Sequence, residues 1–459
     1  MKLDILLYLL ISILISISTI LYITFTLPLA FTYKPKTTQS SVNKKDITAL
    51  IPVYKEDKKI FRDVINSVKK QGLKFIVVGD GCEEPYKKIT ESAGGLFIKL
   101  PRNMGKRRAI REGFKYVKTP YVLLLDSDTV LPENAVEILA SKLNDQIVAV
   151  SPEVSVIRGK SKVAYNVAEM MQRLREISYR ALARFGSIVS LNGQCILAKS
   201  EVIRPLIESE EFDSVRLWKF RTILGDDRQI TNYIYQKGFK AMVVRDVVVK
   251  TKAPDNLNGL LKQLIRWYRS NNFFLIKELT DGTLFKKGFF YMFTILYWYT
   301  LPLLTLANYS LYTEIILRNI VTHWNIFVRI ITKDPVRFIE YMIVRKIDNV
   351  LNINLLPKNH KFDKIVTPIH HIIPHKLYLF PNGQMGIGID FFHYFYIFHN
   401  LIGEVSSIAS IIMILSILVY TRKSVREFIS GLLAFPLMFV ADVFALLTIW
   451  KQNKWLGRS

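Results

Sequence analysis

The chain has 459 residues, half of them apolar and 22% charged, with a net charge of +25; a wholly soluble and a wholly embedded protein are both excluded. A charge this positive calls for an anionic partner, and no finger spacing, helix-turn-helix signal or ribonucleoprotein aromatic box speaks for nucleic acid. Lipid head groups and a diphosphate ligand remain, and two cysteines, Cys82 and Cys195, offer neither a disulfide framework nor a zinc spacing.

Residues 4–31 form a largely apolar stretch with one acid at the start and no base, long enough to cross a bilayer with tilt and too short to cross twice. A signal peptide would have a shorter apolar stretch followed by a small-residue cleavage site. Here the stretch runs instead into Pro28, Lys34, Lys36, Lys44 and Lys45. By the positive-inside rule these lysines keep the following domain cytosolic.

From Asp46 the pattern becomes βαβα. DITALIPVY, KFIVVGDG and TPYVLLLDSD are short β-branched runs ending in polar residues, separated by charged helical stretches such as Lys58–Gln71 and Lys106–Val117. This predicts a mostly parallel sheet covered on both faces, with ligands beyond the carboxyl ends of its strands. The stripe Met170, Leu174, Ile177 and Ala181 has helical core spacing.

After Trp267 the chain turns apolar again. Residues 288–313, about 400–420 and 428–450 are expected to span. Residues 315–331 place Arg318, Thr322, Asn325 and Arg329 on one face and read as a helix lying in the interface. The basic run from Arg318 to Lys376 argues that 313–387 is cytosolic. For the C-terminus to be cytosolic too, either 288–313 does not simply cross, or 315–331 crosses with it as a hairpin. All seven histidines fall between His323 and His399 without a recurring ligand spacing, and are read as polar residues near the head groups.

The chemistry is expected at the strand ends. The first presents Tyr54 and Glu56, the second Asp80, the third Asp126 and Asp128. Each alone is ordinary, since Gly-Asp-Gly is usually a turn and Asp-Ser-Asp often a helix cap. In order at successive strand ends, they converge on one crevice. Two carboxylates one residue apart suit a hard divalent cation that takes its remaining oxygens from phosphates and water. Gly105-Lys106-Arg107-Arg108 then opens a helix with positive charge at its N-terminus, a place for phosphate or simply a solvated basic start. GDDRQIT supplies Asp226, Asp227 and Arg228. In KQLIRW, Gln263, Arg266 and Trp267 share one helical face; they can clamp phosphate and stack on a sugar, or belong to an interfacial helix.

Taken together, IPVYKED, GDG, GKRRA, DSD, GDDRQITN and Q-x-x-R-W over residues 47–270 resemble the processive family 2 glycosyltransferases, and most of all the hyaluronan synthases and their chitin-synthase-like relatives. The tail Trp455-Leu456-Gly457-Arg458 is similar to their Trp-Gly-Thr-Arg. The resemblance implies a GT-A (Rossmann-like) α/β catalytic domain joined to α-helical transmembrane and interfacial helices. It divides the chain into a transmembrane helix (1–33), a cytosolic catalytic domain (34–255), an interfacial region with Q-x-x-R-W (256–287), a transmembrane and interfacial region (288–450) and a tail (451–459). It implies a multi-pass plasma-membrane enzyme with its catalytic domain cytosolic. Tyr54, Glu56 and Asp80 would hold uracil and ribose, with Lys106 near the donor. Asp126 would support the nucleotide, and Asp128 would bind Mn²⁺ or Mg²⁺. Asp227 would be the general base, with Asp226 and Arg228 in the catalytic set. Gln263, Arg266 and Trp267 would bracket the diphosphate and the acceptor end, and Trp455 and Arg458 would reach the nucleotide. The reaction would be an inverting transfer from a UDP-sugar donor to a growing polysaccharide, with secretion of the β-linked product. A single transfer to a polyprenyl or glycolipid acceptor is the rival enzyme. A channel or transporter with a degenerate sugar-nucleotide domain is the rival outside enzymes.

The chain departs from the family at three places. The acceptor segment is Asn192-Gly193-Gln194-Cys195 where hyaluronan synthases have Ser-Gly-Pro. The tail has Leu456 where the family has glycine, and the N-terminus has room for one crossing where the family often has two.

Overall fold

A computed structural model describes residues 2–33, 42–322, 328, 391–421 and 425–451. In chain order the elements are α1 (Lys2–Thr32), β1 (Ile47–Val53), α2 (Lys58–Lys70), β2 (Lys74–Gly79), α3 (Tyr86–Ser92), β3 (Leu96–Lys99), α4 (Lys106–Phe114), β4 (Tyr121–Leu125) and α5 (Ala135–Ala140). There follow β5 (Ile147–Ile157), α6 (Lys162–Ala183), β6 (Cys195–Lys199), α7 (Ser200–Ile207), β7 (Val215–Leu217), β8 (Phe220–Thr222), α8 (Asp226–Gln236) and β9 (Lys240–Lys252). The remainder is helical: α9 (Leu257–Thr280), α10 (Thr283–Lys286), α11 (Phe289–Thr322), α12 (Phe391–Thr421), α13 (Val425–Gly431) and α14 (Ala434–Leu446).

The larger of two compact units runs from Thr26 to Leu296 and takes in α13 and α14. Its seven-stranded sheet has the order β3-β2-β1-β4-β6-β5-β9. All strands are parallel except β6, which runs antiparallel between β4 and β5. The expectation of a mostly parallel, doubly covered sheet holds. Every residue of β1 is buried, as a strand covered on both faces requires. Its alternate side chains divide between two cores: Ile47, Ala49, Ile51 and Val53 pack with α2 and α5, while Leu50 packs with α4, α7 and α8. In α2, Phe61, Val64, Ile65 and Val68 form the buried stripe. Asp57 caps that helix by accepting from the Lys59 and Ile60 N–H groups at 2.9 and 3.0 Å.

The smaller unit joins α1 up to Phe25 with α11 from Tyr297 and α12 up to Ser416. There Tyr22 stacks on Tyr297 with ring centroids 4.3 Å apart, and Trp298 Nε1 donates to the Tyr22 hydroxyl at 3.0 Å.

Among the described residues three helical stretches are long and apolar enough to cross a membrane: Leu6–Thr32, Phe289–Ile315 and Glu427–Leu446. They match three of the four expected spans. The expected segment about 400–420 lies within α12, where the apolar stretch is the shorter Leu401–Ser416. The expected span 288–313 and the start of the expected interfacial helix 315–331 form one helix, since α11 continues without interruption to Thr322. Its Pro302 lies inside the helix and does not end it. The rest of the expected interfacial segment, apart from Val328, lies outside the described residues, as do most of the basic run and five of the seven histidines.

Candidate active site

The carboxyl ends of β1, β2 and β4 point the same way because the strands are parallel. β6 runs the opposite way, so its first residue, Cys195, pairs with the last of β4, Leu125. This brings the Asn192–Gln194 segment to the same edge. The Asp126 N–H donates to the Gln194 carbonyl at 2.9 Å and closes the two strands together.

Asp80 follows β2 between two glycines. A Cβ on Gly81 would lie 2.3 Å from the Asn103 nitrogen, and its φ is +74°, so only glycine lets the next loop approach this closely. Asp80 accepts there from the Met104 and Gly105 N–H groups at 2.6 and 2.9 Å. Its carboxylate thus orients the loop that delivers Lys106. Glu56 links two strand ends: its Oε2 accepts from the Ser127 hydroxyl at 3.3 Å, and its carbonyl from the Tyr86 hydroxyl at 2.7 Å. Tyr54 remains 45% exposed, with the Lys55 ammonium over its ring at 5.3 Å from the centroid.

Lys106 is the hub. Its Nζ lies 2.7 Å from Asp126 Oδ1 and 3.2 Å from Asp226 Oδ2, and donates to the Gly193 carbonyl at 3.3 Å. Lys106, Asp126, Gly193 and Asp226 line one cavity with Pro52 and Ile196. Burial works against the lysine charge, but Asp126 and Asp226 outweigh it and hold the ammonium well above its ordinary range. Asp226 is held low: burial would raise it, and Lys106 and Arg107 pull it down. Asp227 goes the other way, pushed up to about 6 by burial and by the negative Asp226 beside it. Adjacent acids with opposed shifts are a pattern expected where one stays ionised and the other exchanges a proton near neutrality. Gly193 packs against that second acid, since a Cβ there would lie 3.2 Å from Asp227 Cβ and 3.3 Å from its Oδ2.

Several predicted residues take supporting places. Asn192 is buried, donating to the Pro152 carbonyl at 2.7 Å and accepting from Arg175 at 3.1 Å. Cys195 is wholly buried because the β6 register turns it into the core, and burial pushes its thiol up. Of the four residues expected to contact the acceptor, only Gly193 and Gln194 are left partly exposed. Arg228, grouped with the acids in the sequence, turns away from them. It is buried, and its Nε donates to Glu278 at 2.9 Å. Glu278, on α9, also accepts from Asn232 and from the Tyr291 hydroxyl, at 2.9 and 2.8 Å. Burial would raise this carboxyl, yet Arg228 and Lys287 hold it down to about 2. Trp455 and Arg458 lie outside the described residues.

Arg107, in a run that reads as a phosphate site or as a solvated basic helix start, is instead a buried clamp. It donates to the carbonyls of Phe212 (2.9 Å), Ile223 (2.8 Å) and Leu224 (2.7 Å), and to Gln229 Oε1. It therefore holds the segment that leads into Asp226. On α9, Gln263 and Arg266 are buried and Trp267 is 37% exposed. They share a helix face with Ser270 and Phe274. A Cβ on Gly225 would lie 2.5 Å from Ser270 Oγ and 2.7 Å from Phe274 Cε2. The Q-x-x-R-W face is thus the one seated on the loop that opens α8.

Among the described residues no three or more His, Cys, Asp or Glu side chains form a metal-binding group. The donor set that exists is Asp126 and Asp128, hard oxygens one residue apart. Thr129 Oγ1 donates to Asp128 at 3.3 Å. Mg²⁺ and Mn²⁺ are commonly bound by one or two carboxylates plus substrate phosphates, so this set fits a cation that arrives with a diphosphate.

Residues 45–270 match the family described as Glycosyltransferase like family 2. This stretch is a family 2 glycosyltransferase domain. It is 26% identical over 262 residues to an N-acetylglucosaminyltransferase of Rhizobium leguminosarum bv. viciae, covering 51% of this chain and 59% of that protein. A second N-acetylglucosaminyltransferase, from Rhizobium meliloti (strain 1021), is 27% identical over 243 residues, or 49% and 55% of the two chains. The chain thus spans little more than half the length of the curated relatives it matches. A mannosyltransferase from Pyrobaculum calidifontis, solved in complex with GDP-Man and Mn²⁺, superposes with a TM-score of 0.50 at 14% identity, over 67% of this chain and 86% of that one. That likeness supports the GT-A fold of the glycosyltransferase domain.

Proposed function

We propose that this chain transfers N-acetylglucosamine from its UDP donor to a hydroxyl of a growing β-linked acceptor. The observation that carries the reading is the convergence of Lys106, Asp126, Asp226 and Asp227 on one crevice, with Gly193 and Gln194 at its rim. The donor sugar is taken from the relatives' activity. Tyr54 stacks on the uracil, and Glu56 meets the ribose. Lys106 and Arg266 bring positive charge to the diphosphate, and Trp267 packs on the acceptor sugar.

Asp227 takes the acceptor hydroxyl proton as that oxygen bonds to C1 of the donor sugar. The bond from C1 to the diphosphate oxygen breaks, its electron pair leaves with UDP, and C1 inverts. A carboxylate poised near neutral pH suits this work. Held by Asp128 with Asp126 beside it, Mn²⁺ or Mg²⁺ would neutralise charge on the departing diphosphate. Asp226, kept ionised, fixes Lys106 in place.

Q-x-x-R-W and the three membrane-length helices support a processive enzyme of the plasma membrane, its catalytic domain cytosolic and its product passed outward. The hyaluronan-type alternative needs a second, glucuronate donor, which the relatives' activity does not call for. The test is product length. Protein in nanodiscs is given labelled UDP-N-acetylglucosamine, then diluted into unlabelled donor, and the products are resolved on a gel. Long labelled chains at low turnover support processive synthesis. One sugar added to a lipid contradicts it.

A further inference from the structure

Between Phe212 and Leu224 the chain leaves the sheet, turns and returns. Arg107 ties both ends of this excursion through the Phe212, Ile223 and Leu224 carbonyls. Asp213 at its base is bound by Arg108 and Arg111, each at 2.7 Å. The excursion is the two-stranded hairpin β7–β8. Its inner face, Val215 and Leu217, packs on Phe273 and Phe274 of α9. The same helix meets α14 and the turn that follows it: Asn272 donates to Asp442 of α14 at 3.2 Å, and Arg269 donates to the Thr448 hydroxyl at 3.0 Å. α14 belongs to the stretch Glu427–Leu446, which is long and apolar enough to cross a membrane. The hairpin is therefore mounted on a helix that also packs against a bilayer-length segment.

Its outer side is unfavourable for a hairpin facing only water. Arg216 and Arg221 are direct cross-strand partners, and like charges directly opposite destabilise a strand pair. The two-residue turn is Trp218-Lys219. Trp218 has φ 52°, a left-handed conformation in which a bulky side chain is an outlier, and it is 73% exposed. Phe220, next to the turn, is also exposed. Strain of this kind, held by a clamped base, marks a functional element.

We propose that the β7–β8 hairpin docks on an anionic bilayer surface. Trp218 sits at head-group level, where tryptophan is favoured, and Arg216, Lys219 and Arg221 meet lipid phosphates. The anionic partner relieves the repulsion between the two arginines. A neutral N-acetylglucosamine polymer would use the tryptophan but offer nothing to three cations. This docking ties the segment leading into Asp226 to the membrane.

The test reads tryptophan emission and does not depend on glycosyl transfer. Full-length wild type and Trp218→Phe are placed in nanodiscs with brominated phosphatidylglycerol or brominated phosphatidylcholine, and the difference between the two proteins isolates Trp218 from the other five tryptophans. The expected result is quenching of the difference emission that is strong with phosphatidylglycerol and weakened by salt. The double variant Arg216→Gln/Arg221→Gln should lose that lipid preference, and should melt higher than wild type in neutral detergent. Absence of quenching, or equal quenching by both lipids, overturns the proposal. A change in Trp218 emission on adding chitin oligosaccharide, but not on changing lipid, would make the hairpin a saccharide surface and overturn it equally.

Discussion

Replacing Asp227 by Asn should abolish transfer while making the protein more stable. The isostere keeps the Oδ1 that accepts from the Arg228 N–H at 2.8 Å but can take no proton. Loss of a general base costs about 10²–10⁴-fold in rate. In stability the sign reverses. The folded-state pKa is pushed from its ordinary 3.8 to about 6, so folding retains a proton that the unfolded chain releases. Wild-type stability therefore falls as pH rises from about 4 to about 6, and the deficit is complete above that. At about 1.4 kcal/mol per pH unit, and with the site partly open to water, the deficit is about 1–3 kcal/mol. The Asn variant escapes it, so it should melt above wild type at pH 7.5 and equal it near pH 4. The wild-type kcat/KM should climb with pH through about 6 and then level off. Melting curves and UDP release across pH 4–8 test both signs. A variant that keeps activity within tenfold, or that melts below wild type at pH 7.5, refutes the reasoning.

Other substitutions separate the parts of the site. Gly193→Ala should lower kcat about 10- to 100-fold by displacing the Asp227 carboxylate, with KM for the donor little changed; an unchanged kcat would remove the contact from the mechanism. Lys106→Met should weaken donor binding, measured calorimetrically, and destabilise the fold by about 1–3 kcal/mol, because Asp126 and Asp226 lose their shared counter-charge. Glu278→Gln strips the buried Arg228 and Lys287 of their acid and should cost about 3–5 kcal/mol in a thermal melt; a loss below about 1 kcal/mol would contradict the network's role. Chelation should weaken UDP binding to wild type and leave Asp128→Ala unaffected, whereas equal chelator sensitivity would remove Asp128 from the metal role.

Much of this was legible in the sequence because strand ends announce themselves. β-branched runs ending in Glu56, Asp80 and Asp126 need only the rule that parallel strands share a carboxyl edge. The Q-x-x-R-W face followed from helical spacing, and the structure seats that face on the Gly225 loop. Arg228 shows a signal that was present and passed over. At 100° per residue it lies about 200° around α8 from Asp226, which already points it elsewhere. Arg107 and Glu278 could not be read in this way. Their partners are set by tertiary packing at separations of 105 and 50 residues. The burial of Cys195 follows from the antiparallel insertion of β6, which no local pattern around Asn192 reveals.

The most direct test of the central claim is UDP release by the purified full chain against a panel of UDP-sugars with Mn²⁺ or Mg²⁺, its products then digested with chitinase. The account predicts UDP release with UDP-N-acetylglucosamine alone and a product that chitinase degrades. Turnover that requires UDP-glucuronate as well, or no turnover of UDP-N-acetylglucosamine at all, contradicts it.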